Sequence, residues 1–156
     1  MRKLLWLWLL AGIALPVAVA LGVETPADPV MAHLEYLGYR CDSVEQGIRA
    51  QHNSKLPFVV TSERGGILLQ TGFPGKSDTV EISRRFSVLN TVNTRMQVAR
   101  GFWTEEGDLF VKAWMPGLYD KLRFAAYIQA WEDDLKVLRE AGPDLSGFLL
   151  EKSTQR

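Results

Sequence analysis

The stretch from Asp78 to Gly142 constrains the fold most, because its hydrophobic period changes twice. Asp78-Thr79-Val80-Glu81 is a capping-box pattern, in which Glu81 can reach back to the amide of Asp78. From there Ile82, Phe86, Leu89, Asn93 and Met96 fall at spacings of 4, 3, 4 and 3, which is one face of a helix. After Met96 the period drops to two. Val98, Arg100 and Phe102 alternate with Ala99, Gly101 and Trp103. GluGluGlyAsp at 105–108 then joins a second run, in which Leu109, Val111, Ala113 and Met115 alternate with Phe110, Lys112 and Trp114. Successive strand side chains point to opposite sides, so each run presents two distinct faces. Pro116-Gly117 ends this hairpin. The helical period returns with Phe124, Ile128, Trp131, Leu135 and Leu138, again at 4, 3, 4 and 3, until Gly142-Pro143.

Two polar features of this stretch need an account. Asn93 interrupts the apolar line of its helix, with Asn90 three residues back. A buried amide costs on the order of 1–3 kcal/mol unless hydrogen-bonded. Asn90 or Asn93 is therefore expected to tie the helix to a neighbouring strand backbone. Asp133-Asp134 invites a metal assignment, but adjacent helical residues do not face one another. With Lys121, Glu132, Lys136 and Arg139 they are read as a solvated face.

The chain before Asp78 supplies the rest of the layer. Asp28 stands as an N-cap ahead of Pro29, and Val30, His33/Leu34 and Leu37 give a short helical stripe that Gly38 ends. His33 is read as a surface or boundary residue. Residues 47–52, 58–61 and 67–71 have strand composition, separated by turn chemistry at Asn53-Ser54-Lys55 and Arg64-Gly65-Gly66. Gly72-Phe-Pro-Gly75-Lys76-Ser77 follows a strand and precedes a helix, yet a phosphate-binding loop needs four residues between its first Gly and the Gly-Lys-Ser, and here two intervene. It is read as a turn. Cys41 and His52 could be set as nucleophile and base, but no orienting third group accompanies them, and Cys41 is read as structural.

Met1-Arg2-Lys3, the apolar run Leu4–Leu15, Pro16 and Ala18-Val19-Ala20 follow the order of a secretory signal. Residues 1–20 are expected to be removed after Ala20, placing the protein in the periplasm or outside the cell. The alternative is retention of residues 4–23 as an inner-membrane anchor, since about 20 apolar residues suffice to span. Loss of Arg2 and Lys3 leaves 16 basic against 18 acidic residues, a net charge of −2. Such a balance carries no nucleic-acid footprint, and membrane association is expected only if the leader stays. The single cysteine excludes an internal disulfide.

The resulting class is α+β: helix, three strands, helix, two strands, helix, with a mostly antiparallel sheet packed against the helices. Residues 21–28 form a linker, 29–142 the domain and 143–156 a C-terminal tail. This order carries several short motifs: Leu34-x-x-Leu37-Gly38-Tyr39, the hairpin around Ile48 and Phe58-Val59-Val60, Leu89-Asn90-x-x-Asn93, Gly107-Asp108-Leu109, and Phe124-x-x-x-Ile128-x-x-Trp131. Together they resemble the YbjN-like family of proposed bacterial sensory-transduction regulators, whose fold is that of class I type III secretion chaperones, over roughly residues 29–141. The resemblance implies a protein-binding or chaperone-like module, possible as a homodimer, with no catalytic residues. The leader departs from it, because secretion chaperones act inside the cell.

Helices can cover one side of such a sheet, so one set of strand aromatics is expected to be exposed. The sequence therefore points to a non-enzymatic exported domain that binds a protein or peptide through Phe102, Trp103, Phe110 and Trp114. The alternative is a small-molecule or lipid-binding domain, with these rings lining a cleft between the sheet and the last helix. No catalytic, metal-ligating or cofactor-binding set is assigned.

Overall fold

The computed structural model describes residues 28–76 and 82–150. The leader, most of the linker, the capping box at 78–81 and the tail end at 151–156 lie outside the described residues. The elements run α1 (Pro29–Tyr36), β1 (Arg40–Val44), β2 (Gly47–Gln51), β3 (Phe58–Glu63), β4 (Gly66–Phe73), α2 (Ile82–Arg95), β5 (Arg100–Trp103), β6 (Leu109–Pro116), α3 (Lys121–Glu140) and α4 (Gly142–Leu145). All six strands form one sheet of order β1-β2-β3-β4-β6-β5, in which every neighbour is antiparallel. The architecture is the α+β sandwich expected, with one strand and one short helix beyond those anticipated.

The additional strand is β1. Its sequence, Arg-Cys-Asp-Ser-Val, has neither apolar alternation nor a strand-forming run. It forms because β2 offers it a complete partner, from Arg40 opposite Gln51 to Val44 opposite Gly47. An edge strand needs little side-chain burial once its backbone is paired, and charges on it discourage further pairing.

Alternation places Ile48, Ala50, Phe58, Val60, Ile67, Leu69, Leu109, Val111, Ala113 and Met115 on one side of the sheet, where they join the helices in a single core. The predicted α3 stripe of Phe124, Ile128, Trp131, Leu135 and Leu138 is buried throughout. Each such large apolar side chain contributes roughly 1.5–3 kcal/mol. On α2 the stripe is only partly covered: Leu89 and Met96 are buried, whereas Ile82 and Phe86 remain in solvent. Asp28 caps α1 as expected, its Oδ1 accepting from the Val30 amide at 2.8 Å. His33, expected at the surface or its boundary, is instead buried. Its Nδ1 lies 2.9 Å from the Tyr119 hydroxyl, and burial, with Lys121 nearby, lowers its pKa from the ordinary value.

The helices are fixed to the β5 edge by polar contacts with its backbone. Asn93 donates to the Gly101 carbonyl at 3.0 Å and accepts from the Gly101 amide at 2.7 Å, the tie foreseen for Asn90 or Asn93; Asn90 itself is exposed. Asp134 departs from its expected solvated face. Its carboxylate is 1% exposed and accepts the amides of Gln97, Val98 and Ala99 at 2.7, 2.8 and 2.7 Å. Asp133 next to it stays at the surface and pairs with Lys136 at 2.7 Å.

The end of the chain also joins the domain. Leu145 and Phe148 are buried, and the Lys76 amide donates to the Phe148 carbonyl at 2.9 Å. The predicted turn at 72–77 thus acts as a latch over its described residues, 72–76. Gly75 bridges to Leu149, and its amide donates to Asp108 at 2.8 Å. A Cβ on Gly75 would lie 1.6 Å from the Gly107 carbonyl oxygen, so this approach excludes any side chain. Residues 143–150, read from the sequence as tail, therefore close the core.

Asp134→Ala leaves three backbone N–H groups without their acceptor. It is expected to cost about 3 kcal/mol or more in urea unfolding, whereas Asp133→Ala leaves the midpoint essentially unchanged.

Candidate partner-binding face

Among the described residues the helices all lie on one side of the sheet, so the opposite face is composed of the alternate residues of six strands. Strand register orders them into rows. Asp42 pairs with Arg49, Arg49 with Val59, Val59 with Gln70, Gln70 with Lys112, and Lys112 with Arg100. The next row brings Gly72, Phe110 and Phe102 side by side, and on the other side Thr61, Leu68 and Trp114 lie together.

Aromatic packing gives this face its relief. Phe102 and Phe110 stack with centroids 6.1 Å apart and planes at 19°. The Lys112 ammonium sits over both, 5.4 Å from the Phe102 centroid and 5.9 Å from that of Phe110. Phe110 leans across Gly72, where a Cβ would lie 2.9 Å from its ring. Beside it is a depression of about 330 Å³ bounded by Arg49, Gln51, Pro57, Val59, Gln70 and Phe110. Trp114 donates its indole N–H to the Glu63 carbonyl at 3.0 Å, which ties the ring to the β3–β4 turn.

Three of the four aromatics assigned from the sequence share this face. Phe102 is 40% exposed and Trp114 47%, with Phe110 half-buried between sheet and solvent. Trp103 is not among them. It is 8% exposed on the helix side, edge-on to Phe148 and 4.8 Å from the Arg85 guanidinium. The physical reason is strand parity: neighbours on β5 cannot share a face. What the sequence reading did not assign are the polar members of the face, Arg49, Gln51 and Gln70. Strand alternation put them opposite the core residues, but only register brings them beside Phe110.

The helix side has an apolar cavity of about 160 Å³, bounded by Leu56, Phe73, Leu109, Leu138, Leu145 and Leu149. None of the four hairpin aromatics lines it, so they do not form a cleft between sheet and last helix. Among the described residues no group of three or more His, Cys, Asp or Glu side chains could hold a metal ion, and no helix is long and apolar enough to cross a membrane. His52 Nδ1 accepts from the Ser54 amide at 3.1 Å and packs its ring against Tyr39. Burial first, then Glu35 and Asp42, pushes the Cys41 thiol up to about 11.

The described residues form a one-sided α+β domain whose sheet face opposite the helices is aromatic and carries more basic than acidic side chains. The particular fold is YbjN-like. The chain is similar to the crystal structure of YbjN from E. coli, a proposed transcription regulator, with a TM-score of 0.62 and 15% identity, over 78% of this chain and 93% of that one. No family model and no curated protein matches the sequence.

At pH 8 a thiol titrating near 11 is on the order of a thousandth ionised. Alkylation of Cys41 in the folded protein is therefore expected to run on the order of a hundredfold slower than that of a free cysteine, and to recover in denaturant.

Proposed function

We propose that this chain is an exported, non-enzymatic domain that binds a protein or peptide partner through the uncovered face of its sheet. One observation carries the reading: Phe102, Phe110 and Trp114 gather on the side of the sheet that no helix of the described residues covers. Exposed aromatic side chains are the usual anchors of protein interfaces, because each removes a large area from water with few rotatable bonds to fix. The YbjN-like fold is consistent with a regulatory role, given how YbjN itself is described. Export rests on the basic start, the apolar run and Ala18-Val19-Ala20.

Two measurements test these elements. Crosslinking in the native host should trap a partner on the wild-type chain and lose it with Phe102→Ser/Trp114→Ser, while the far-UV circular dichroism of that variant stays native. Trp103→Ser should behave oppositely and lose cooperative folding. Undiminished crosslinking in the double variant would rule out this face. For export, intact mass of the protein from its host is expected to show a chain beginning at Leu21, and a retained Met1 would favour the anchor instead.

A further inference from the structure

The uncovered face is charged as well as aromatic, and its charge is one-sided. Arg40, Arg49, Arg100 and Lys112 project from it, against Asp42 and Glu63. The chain as a whole balances 18 basic against 18 acidic residues, so this excess is a matter of placement. Four cations elsewhere are paired: Lys55 with Glu132, Lys136 with Asp133, Arg95 with Glu140, and Arg64 near Glu63. Among the described residues Arg40, Arg49, Arg100 and Lys112 make no ion pair. Arg100 donates instead to the Met96 and Ala99 carbonyls at 3.1 and 2.5 Å, and Lys112 rests over the two phenyl rings. These contacts hold the positive charges in place without cancelling them.

From this, and resting on the reading above that the face binds a protein partner, we propose that its partner is an extended acidic segment with interspersed apolar residues. An Asp or Glu side chain of that segment enters the depression beside Arg49, where Gln51 and Gln70 line the wall, and an apolar side chain lies against Phe110 and Phe102. Guanidinium and amide donors in a half-enclosed site match a carboxylate, whose planar oxygens accept two N–H bonds together. A basic segment would meet a face on which four cations stand against two carboxylates. Six strands at about 4.8 Å spacing span about 24 Å, the length of roughly seven extended residues. A single-stranded nucleic acid fits less well, because base stacking needs free ring faces. Here Phe102 and Phe110 stack on each other under the Lys112 ammonium, and the Trp114 indole is tied to the Glu63 carbonyl.

The test is fluorescence anisotropy with labelled short peptides of alternating Glu and Phe, an isosteric Gln and Phe peptide, and a single-stranded oligonucleotide of similar charge. The Glu peptide is expected to bind roughly tenfold or more tightly than the Gln peptide, with affinity falling as salt rises. Arg49→Gln and Lys112→Gln should each weaken it several-fold, whereas Lys136→Glu on the helix side should not. Equal binding of both peptides, both lost in Phe102→Ser/Trp114→Ser, would overturn the acidic requirement and leave the sheet-face reading standing. Tighter binding of the oligonucleotide would replace a protein partner with a nucleic acid. Binding of neither peptide, or binding indifferent to the double variant, would count against both proposals.

Discussion

A single buried carboxylate fixes the last long helix to the start of the edge strand β5. Asp134 projects from the middle of α3 and accepts three successive amides, at Gln97, Val98 and Ala99, where the chain leaves α2 and enters β5. A carboxylate taken out of water is costly unless its oxygens are satisfied. Three backbone donors satisfy it and fix the direction in which β5 starts. One residue pair further on, Asn93 clamps both polar groups of Gly101. With these ties in place, Ala99, Gly101 and Trp103 face the helices, and Val98, Arg100 and Phe102 face away.

That division passes from β5 to the rest of the sheet through pairing. Phe102 opposite Phe110 and Arg100 opposite Lys112 carry the outward set to β6, and β6 carries it to β4 through eight paired positions. The latch at Gly75 and the burial of Leu145 and Phe148 close the core at the end of the sheet. The uncovered face is therefore a consequence of how the covered one is anchored. Its aromatic and cationic members sit at fixed spacing because the strands below them are fully paired.

Much of this could be read from the residues. The 4-3-4-3 spacing of α3 and the strict alternation of β6 need no tertiary information, since each period matches only one regular backbone. Asn93 was legible as a tie because an amide on an apolar stripe must find a partner. By contrast β1 left almost no signal, because its formation depends on the edge that β2 presents rather than on its own side chains. The residues alone mark Asp134 as solvated, because the three amides that receive its charge lie far from it along the chain. Composition groups Trp103 with the other hairpin aromatics, although its parity sets it apart from Phe102.

The sequence by itself determined the local periods, the turns and the class of the fold, because helix and strand differ in which neighbours share a face. Tertiary structure decided which of the two strand faces is buried and which distant residues meet on the other. Arg49, Gln70, Lys112 and Phe110 are widely separated along the chain and become neighbours only through strand register. Register is set by long-range pairing and by buried anchors such as Asp134, and no local pattern encodes it.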